Sequence, residues 1–489
     1  ALALNPKSAA IASNLGTMAQ KAKEWGSALQ YFEKALEIEP NLAEVHCNLG
    51  VTLQALGRLD EAEASYTQAI VLKPDFAEAH YNLGLTLKEL GRLDEAEANY
   101  TQAITLKPDY AEAHYSLGNT HKELGRLDEA EANYTQAIAL KPRFAEAHYN
   151  LGNTLQVLER LGEAAANYTQ AIALKPDYAE AHNNLGITLK ELGRLSEAEA
   201  SYTQAIALKP DYAEAHNNFG IMLKELYRLD EAEASYTQAI ALKPDFAQAH
   251  NNLGITLQEL RRLNETEASY TQAIVLKPDF AEAHFNLGNT LKELDRLGEA
   301  EESYTQAIAL QPDFAEAHYS LGVSLKELGR LDEAETSYKQ AIALKPDFAE
   351  AHFNLGNTHK ELCRLDEAKS SYTQAIAFKP DFAEAHYNLA HTFKELGRID
   401  EAEASYTQAI AFKPDFAEAH YNLATMRQQQ GRLDEAEASF RQAIALRPDH
   451  IKAHDQLLVC LFLLDKKSLF FDELDYLINQ DNASAIIGS

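Results

Sequence analysis

The 489 residues carry 44 Lys and Arg against 74 Asp and Glu, a formal charge of −30, which disfavours nucleic acid as a partner because phosphate neutralisation needs clustered cations. The balance points to a self-repelling surface, with attraction toward a basic partner as the sharper reading. The longest apolar run, Leu457 to Leu464, is eight residues, far below the ~20 that span a bilayer, so no membrane span is expected.

All 14 prolines recur at a spacing of 34, from Pro6, Pro40 and Pro74 to Pro414 and Pro448. If position 1 is the residue three after each proline, it falls at Ala9, Ala43, Ala77 and onward to Ala417, giving thirteen copies over residues 9–450. Residues 1–8 read as the trailing end of a truncated preceding copy, because ALALNP matches the closing AIALKP of later ones, and the chain reads as a fragment of a longer protein. Such an array grows in one dimension, so one elongated domain is expected rather than the three compact ones its length suggests.

Each copy predicts a first helix over about positions 1 to 14 and a second over about 17 to 31, with a turn near position 15. In the copy at Ala77, His80, Leu83, Gly84, Leu87 and Leu90 form one apolar stripe, and Leu93, Ala96, Tyr100, Ala103 and Ile104 form the next. Asp75 with Glu78 and Asp94 with Glu97 predict capping boxes at the two helix starts. Gly91 and its equivalents supply the turn, while Glu159, Tyr227, Arg261, Asp295 and Cys363 at the same position mark it as exposed. Residues 451–489 read as a degenerate helical cap or junction plus a tail. Ile451 to Leu464 continues as a first helix, its apolar outer face (Val459, Phe462, Leu463) is expected to be covered by Ser468 to Ile478 folding back or by a further domain, and Asn479 to Ser489 is expected to be a linker or frayed tail.

A period of 34 with two helices, Gly at position 8, Ala at positions 20 and 27 and an aromatic at position 24 resembles the tetratricopeptide repeat family over about nine-tenths of the chain. That resemblance implies an all-α, right-handed α-α superhelical solenoid whose first helices line a concave face. The run from Leu276 to Ala300 is further similar to the repeats of O-linked N-acetylglucosamine transferases, in which an asparagine ladder holds extended polypeptide.

Position 6 is the candidate binding site. It holds Asn14, Asn48, Asn82, Ser116, Asn150, Asn184, Asn218, Asn252, Asn286, Ser320, Asn354, Asn388 and Asn422. On a helical wheel it lies opposite the apolar stripe, and Asn is a poor helix former, so neither packing nor propensity accounts for it. Its amide offers a donor and an acceptor, the complement of a peptide backbone. With helices ~8–10 Å apart and an extended chain advancing ~3.3 Å per residue, one rung would grip about every third ligand residue. Duplication of one copied Asn is the plainer account of the regularity. Positions 5 and 9 vary between copies and are read as groove selectivity: Tyr115 with Asn119, Tyr149 with Asn153, Asn183 with Ile187, Asn217 with Ile221, Asn251 with Ile255, and Phe285 with Asn289, making the middle of the groove more apolar. Glu at position 2 adds negative charge that Lys at position 12 partly offsets. Family members that clamp a C-terminal carboxylate carry Lys or Arg at positions 2 and 5, where this chain has Glu and Tyr, Asn or Phe, so such a clamp is not expected.

Thirteen of the 17 histidines occupy position 4 and read as packing residues, because ligands one repeat apart cannot share an ion held at ~2.1 Å. No metal, cofactor or catalytic group is therefore expected within this chain. Cys47, Cys363 and Cys460 show no CxxC spacing and fit a reduced, cytoplasmic setting. The resulting expectation is a non-enzymatic scaffold binding protein or extended peptide. Two alternatives stand beside it: a substrate-recruiting arm of a larger glycosyltransferase or oxygenase, and a self-associating structural solenoid.

Overall fold

The computed structural model describes residues 8–487, with side chains as far as Ile478. The truncated copy read at residues 1–8 lies outside the described residues except for Ser8, whose hydroxyl accepts the Ile11 N–H at the start of Ala9–Lys21. Among the described residues there are 28 α-helices and no strand. They divide into two compact units, Ala1–Pro244 and Asp245–Ser489, where the period alone suggests one uninterrupted array. Each unit is an all-α solenoid of paired antiparallel helices.

The helices follow the 34-residue period. In the third repeat they are Ala77–Glu89 and Leu93–Leu106, and the matching pair in the ninth is Ala281–Glu293 and Leu297–Leu310. Alanine, leucine and glutamate, all strong helix formers, fill them. The expected capping boxes are absent: Phe76 and Arg92 are the N-caps, and neither makes a side-chain cap bond. Asp75 lies one residue too early. Asp94 and Glu95 sit inside the first turn, where their charge favours the positive end of the helix dipole instead.

The first helix stops because position 15 is left-handed. Gly91 has φ +76°, and Glu159, Tyr227, Arg261, Asp295 and Cys363 adopt φ of 57–61° at the same place. There the Gly91 N–H reaches the Lys88 carbonyl and the Arg92 N–H reaches that of Leu87, closing the helix end. The side chains tolerated here point outward, as 83% exposure of Tyr227 shows.

Packing is set by one close approach per repeat. A methyl group on Gly84 would lie 2.7 Å from Cε1 of Tyr100, whose ring is fully buried. Small residues at position 8 therefore let the aromatic of position 24 lie against the first helix, between Ala96 and Ala103. The buried set of that helix is Ala77, Ala79, Leu83, Gly84, Thr86 and Leu87, so His80 lies at the edge of the core and Thr86 inside it. The Thr86 hydroxyl satisfies itself by donating to the Asn82 carbonyl at 3.1 Å.

Beyond the repeats, Ile451–Leu463 is followed by a helix over Lys467–Ile487. The second packs back on the first through stacking of Tyr476 on His454, with centroids 5.3 Å apart, and a contact of Glu473 with His454 Nδ1. It covers a different face from the expected one. Phe462 stays 73% exposed, and Val459 and Leu463 are also exposed. The backbone remains helical through the stretch expected to be a tail, because Asn479 to Ile487 contains neither Pro nor Gly.

Candidate functional site

The position-6 side chains lie on the first helices and are half-buried, with Asn14 exposed and Ser116 buried. Their amides are bonded to the repeat before. Asn150 Nδ2 donates to the Tyr115 hydroxyl at 2.9 Å and to Asn119 Oδ1 at 3.0 Å. Asn184 repeats this with Tyr149 at 3.1 Å and Asn153 at 2.9 Å. The acceptor elsewhere is whichever of positions 5 and 9 can accept. It is Asn183 for Asn218, Asn251 for Asn286, Tyr319 for Asn354, Asn357 for Asn388 and Tyr387 for Asn422. Asn82 meets the Cys47 sulfur, at 3.9 Å, where burial pushes the thiol up to about 11 and keeps it neutral. The ladder is thus an inter-repeat hydrogen-bond chain, which answers the question that propensity and the helical wheel leave open.

Positions 5 and 9 belong to the same chain. Asn183, Asn217 and Asn251 are buried, so they do not line an open groove floor. Tyr115, Tyr149 and Phe285 are half-buried, each packed on the position-34 aromatic of its own repeat, with centroids 4.7–4.8 Å apart. Burial raises the pKa of Tyr115 and Tyr149, so both hydroxyls remain protonated. Asn119, Asn153, Asn289 and Asn357 accept at 2.8 Å from the buried hydroxyls of Tyr134, Tyr168, Tyr304 and Tyr372. Where position 9 is Val323 or His391, the hydroxyls of Tyr338 and Tyr406 are buried without a hydrogen-bond partner among the described residues. Ile187, Ile221 and Ile255 are half-buried, and Ile187 packs against the cluster around Leu189 and Tyr202. No side-chain bond of Asn14 or Asn48 is found among the described residues, Ser320 hydrogen-bonds Tyr304 of the repeat before, and Asn252 is half-buried.

Electrostatics beside the ladder is closer to balance than the sequence suggests. Position-2 glutamates pair with the lysine just before the next proline: Glu44 with Lys73 at 3.1 Å, Glu112 with Lys141 at 2.9 Å and Glu214 with Lys243 at 3.0 Å. The same lysines cap the position-34 rings, as Lys141 does over Phe144 at 4.5 Å. Lys88 and Lys190 at position 12 instead reach Glu123 and Glu225 of the following repeat.

Position-4 histidines bond backward to the proline carbonyl, His46 to Pro40 at 2.8 Å and His352 to Pro346 at 3.0 Å. Burial lowers the pKa of His182 and His216. Among the described residues no group of three His, Cys, Asp or Glu could hold a metal ion, and no helix is long and apolar enough to cross a membrane.

Compared with solved structures, the chain is similar to that of the APC/C hetero-tetramer Cut9-Hcn1, at 17% identity and TM-score 0.41, covering 92% of this chain and 96% of that one. It is also similar to YrrB, described as a TPR protein with an unusual peptide-binding site, at 25% identity and TM-score 0.35, with 38% and 95% covered. MamA follows at 25% identity and TM-score 0.33, with 34% and 97% covered. No curated protein matches, so the likeness to O-linked N-acetylglucosamine transferase repeats rests on the sequence motif alone. A family model described as TPR repeat matches residues 53–91, 86–125, 118–157, 158–193, 222–260, 288–329, 324–362 and 364–397. Models described as tetratricopeptide repeat match 8–38, 31–64, 179–212, 269–302 and 387–451. With the 34-residue period, the helix pairs and the glycine-to-aromatic contact all in place, the chain belongs to the tetratricopeptide repeat family.

Proposed function

We propose that this chain is a protein-interaction scaffold whose first helices, within each unit, hold the backbone of an extended polypeptide through the position-6 asparagines. The observation behind this reading is that the amides are half-buried and already oriented. Asn150 spends both Nδ2 hydrogens on the preceding repeat, which leaves Oδ1 without a partner among the described residues and fixes its direction. A peptide N–H donating to such an oxygen meets a group that loses no further rotamer freedom, the benefit of preorganisation. Asn354 and Asn422 each donate one hydrogen to the repeat before and keep a second for a ligand carbonyl. Positions 5 and 9 then act on a ligand indirectly, by setting how each amide is turned.

The formal charge of −30 favours a basic ligand segment, and three free cysteines, two of them buried, suit a reducing cytoplasm. Replacing Asn150, Asn354, Asn388 and Asn422 together by Ala tests the reading in a pull-down followed by identification of bound polypeptides. The expected result is that the parent retains proteins the variant loses, while circular dichroism of the two is alike. Equal retention by both would refute it.

A further inference from the structure

The second helices carry an inter-repeat chain of their own, built on arginines. In six repeats the arginine at position 16 (Arg92, Arg160, Arg228, Arg296, Arg330 and Arg432) grips two glutamates. Its Nε and Nη2 hold the glutamate three residues on, as Arg92 holds Glu95 at 2.7 and 2.6 Å. Its Nη1 takes the position-21 glutamate of the preceding repeat: Arg92 with Glu63, Arg160 with Glu131, Arg228 with Glu199, Arg296 with Glu267, Arg330 with Glu301, Arg364 with Glu335 and Arg432 with Glu403, at 2.5–2.9 Å.

Three repeats lack that glutamate. Leu29 stands before Arg58 and packs into the core cluster of its neighbours. Lys369 stands before Arg398, whose guanidinium lies over the Phe393 ring at 4.7 Å. Ala165 stands before Arg194, and among the described residues nothing takes the missing side chain's place. Arg194 binds Glu197 through Nε at 2.8 Å and Nη2 at 2.7 Å, while Nη1 has no partner among the described residues. Its side chain is 50% exposed, against 34–42% for Arg92, Arg160, Arg228, Arg296, Arg330, Arg364, Arg398 and Arg432. Beside it a groove of about 610 Å³ opens, with Ala165, Ala166, Leu185 and Leu189 among its walls.

We propose that this groove receives a glutamate side chain from an acidic segment of a partner protein. The carboxylate takes the Nη1 position that position-21 glutamates occupy elsewhere, and its methylenes lie on Leu185 and Leu189. The protein's own repeats supply the template, since Arg92, Arg160, Arg228, Arg296, Arg330 and Arg432 each show one guanidinium accommodating a second carboxylate beside the first. At Arg194 that second site is open, and Ala165, Leu185 and Leu189 share its wall with Thr169, Gln170 and Ser201.

The probe is the blocked peptide Ala-Ala-Glu-Ala-Ala, with Ala-Ala-Gln-Ala-Ala as its control, titrated at low ionic strength into the full chain carrying labelled alanine and leucine methyls. The glutamate peptide should shift the Ala165, Ala166 and Leu189 methyls saturably, and the glutamine peptide should bind roughly fivefold or more weakly, the loss expected for a charge-assisted bond. Ala165→Glu refills the socket from within, using the residue ten other repeats carry, so it should fold with an unchanged or raised melting temperature and abolish the titration. Arg194→Gln should abolish it as well, whereas the asparagine-ladder variant should leave it intact. Equal shifts by the two peptides, an unchanged titration in Ala165→Glu, or no saturable shift in the parent would each overturn the proposal.

Discussion

Tyr338 and Tyr372 occupy the same position in adjacent repeats, both rings fully buried, yet only one hydroxyl is bonded. Tyr372 donates to Asn357 Oδ1 at 2.8 Å, an oxygen that also accepts from Asn388 at 2.8 Å. Tyr338 packs with Val323 at position 9, and its hydroxyl has no hydrogen-bond partner among the described residues. Replacing each by Phe removes the same atom from similar packing, so the difference isolates the hydrogen bond. Losing the Tyr372 bond should cost about 0.5–1.5 kcal/mol, since Asn357 keeps its second donor. Removing the unpaired Tyr338 hydroxyl should cost nothing or stabilise by about 1 kcal/mol. Long repeat arrays need not unfold in one step, so the readout is amide hydrogen exchange over Leu331–Leu344 and Leu365–Phe378. At ~1.4 kcal/mol per tenfold, exchange of the second segment in Tyr372→Phe should rise roughly two- to tenfold. The first segment in Tyr338→Phe should be unchanged or slower. Equal acceleration in both would mean that position 9 does not decide the energetics of the buried tyrosine.

The left-handed turns make a second prediction: Tyr227→Gly and Arg261→Gly should each stabilise their repeat by about 1 kcal/mol, read as slower local exchange, because a side chain at φ near +60° is strained where Gly is not. Destabilisation by either would refute this account of position 15. Acid should act through Glu335, whose pKa falls from the ordinary 4.5 to about 2, first through its bond with Lys339 and then through that with His359, against an opposing cost of burial. Because the folded value is the lower one, the stabilisation is complete above about pH 4.5 and is lost as pH falls toward 2. The melting temperature of Glu335→Gln should therefore fall less steeply across that window than the parent's, and parallel slopes would show that this carboxylate carries none of the acid sensitivity.

Much of the fold is visible in the residues themselves. The 34-residue period gives the helix pairs, and Gly84 opposite Tyr100 is the kind of small-to-aromatic match the copies advertise. The ladder is only half visible. A helical wheel places Asn150 away from its own helix's core, but its partners lie 35 and 31 residues upstream, across a repeat boundary that a single-helix pattern does not contain. The signal was present between neighbours rather than between copies: from Asn150 onward, every position-6 Asn follows a repeat with Tyr or Asn at position 5 or Asn at position 9. Thr86 was hidden for a different reason. A hydroxyl reads as polar in sequence, but its bond to a carbonyl in the preceding turn makes it indifferent to burial. The capping boxes failed because the spacing of Asp75 and Glu78 fits the motif while the helix starts after Phe76.

The rule that positions 5 and 9 obey also governs how the array can change length. Unequal crossing-over deletes or inserts whole repeats and creates a new junction each time. A junction is sound when the incoming Asn finds one acceptor behind it, and that acceptor can be the Tyr319 hydroxyl, the Asn251 amide or the Asn357 amide. Three interchangeable acceptors make most rearrangements free of an orphaned polar group. The varied residues at these positions thus act as a universal coupling, allowing copies to be reordered or multiplied before selection has refined any one of them.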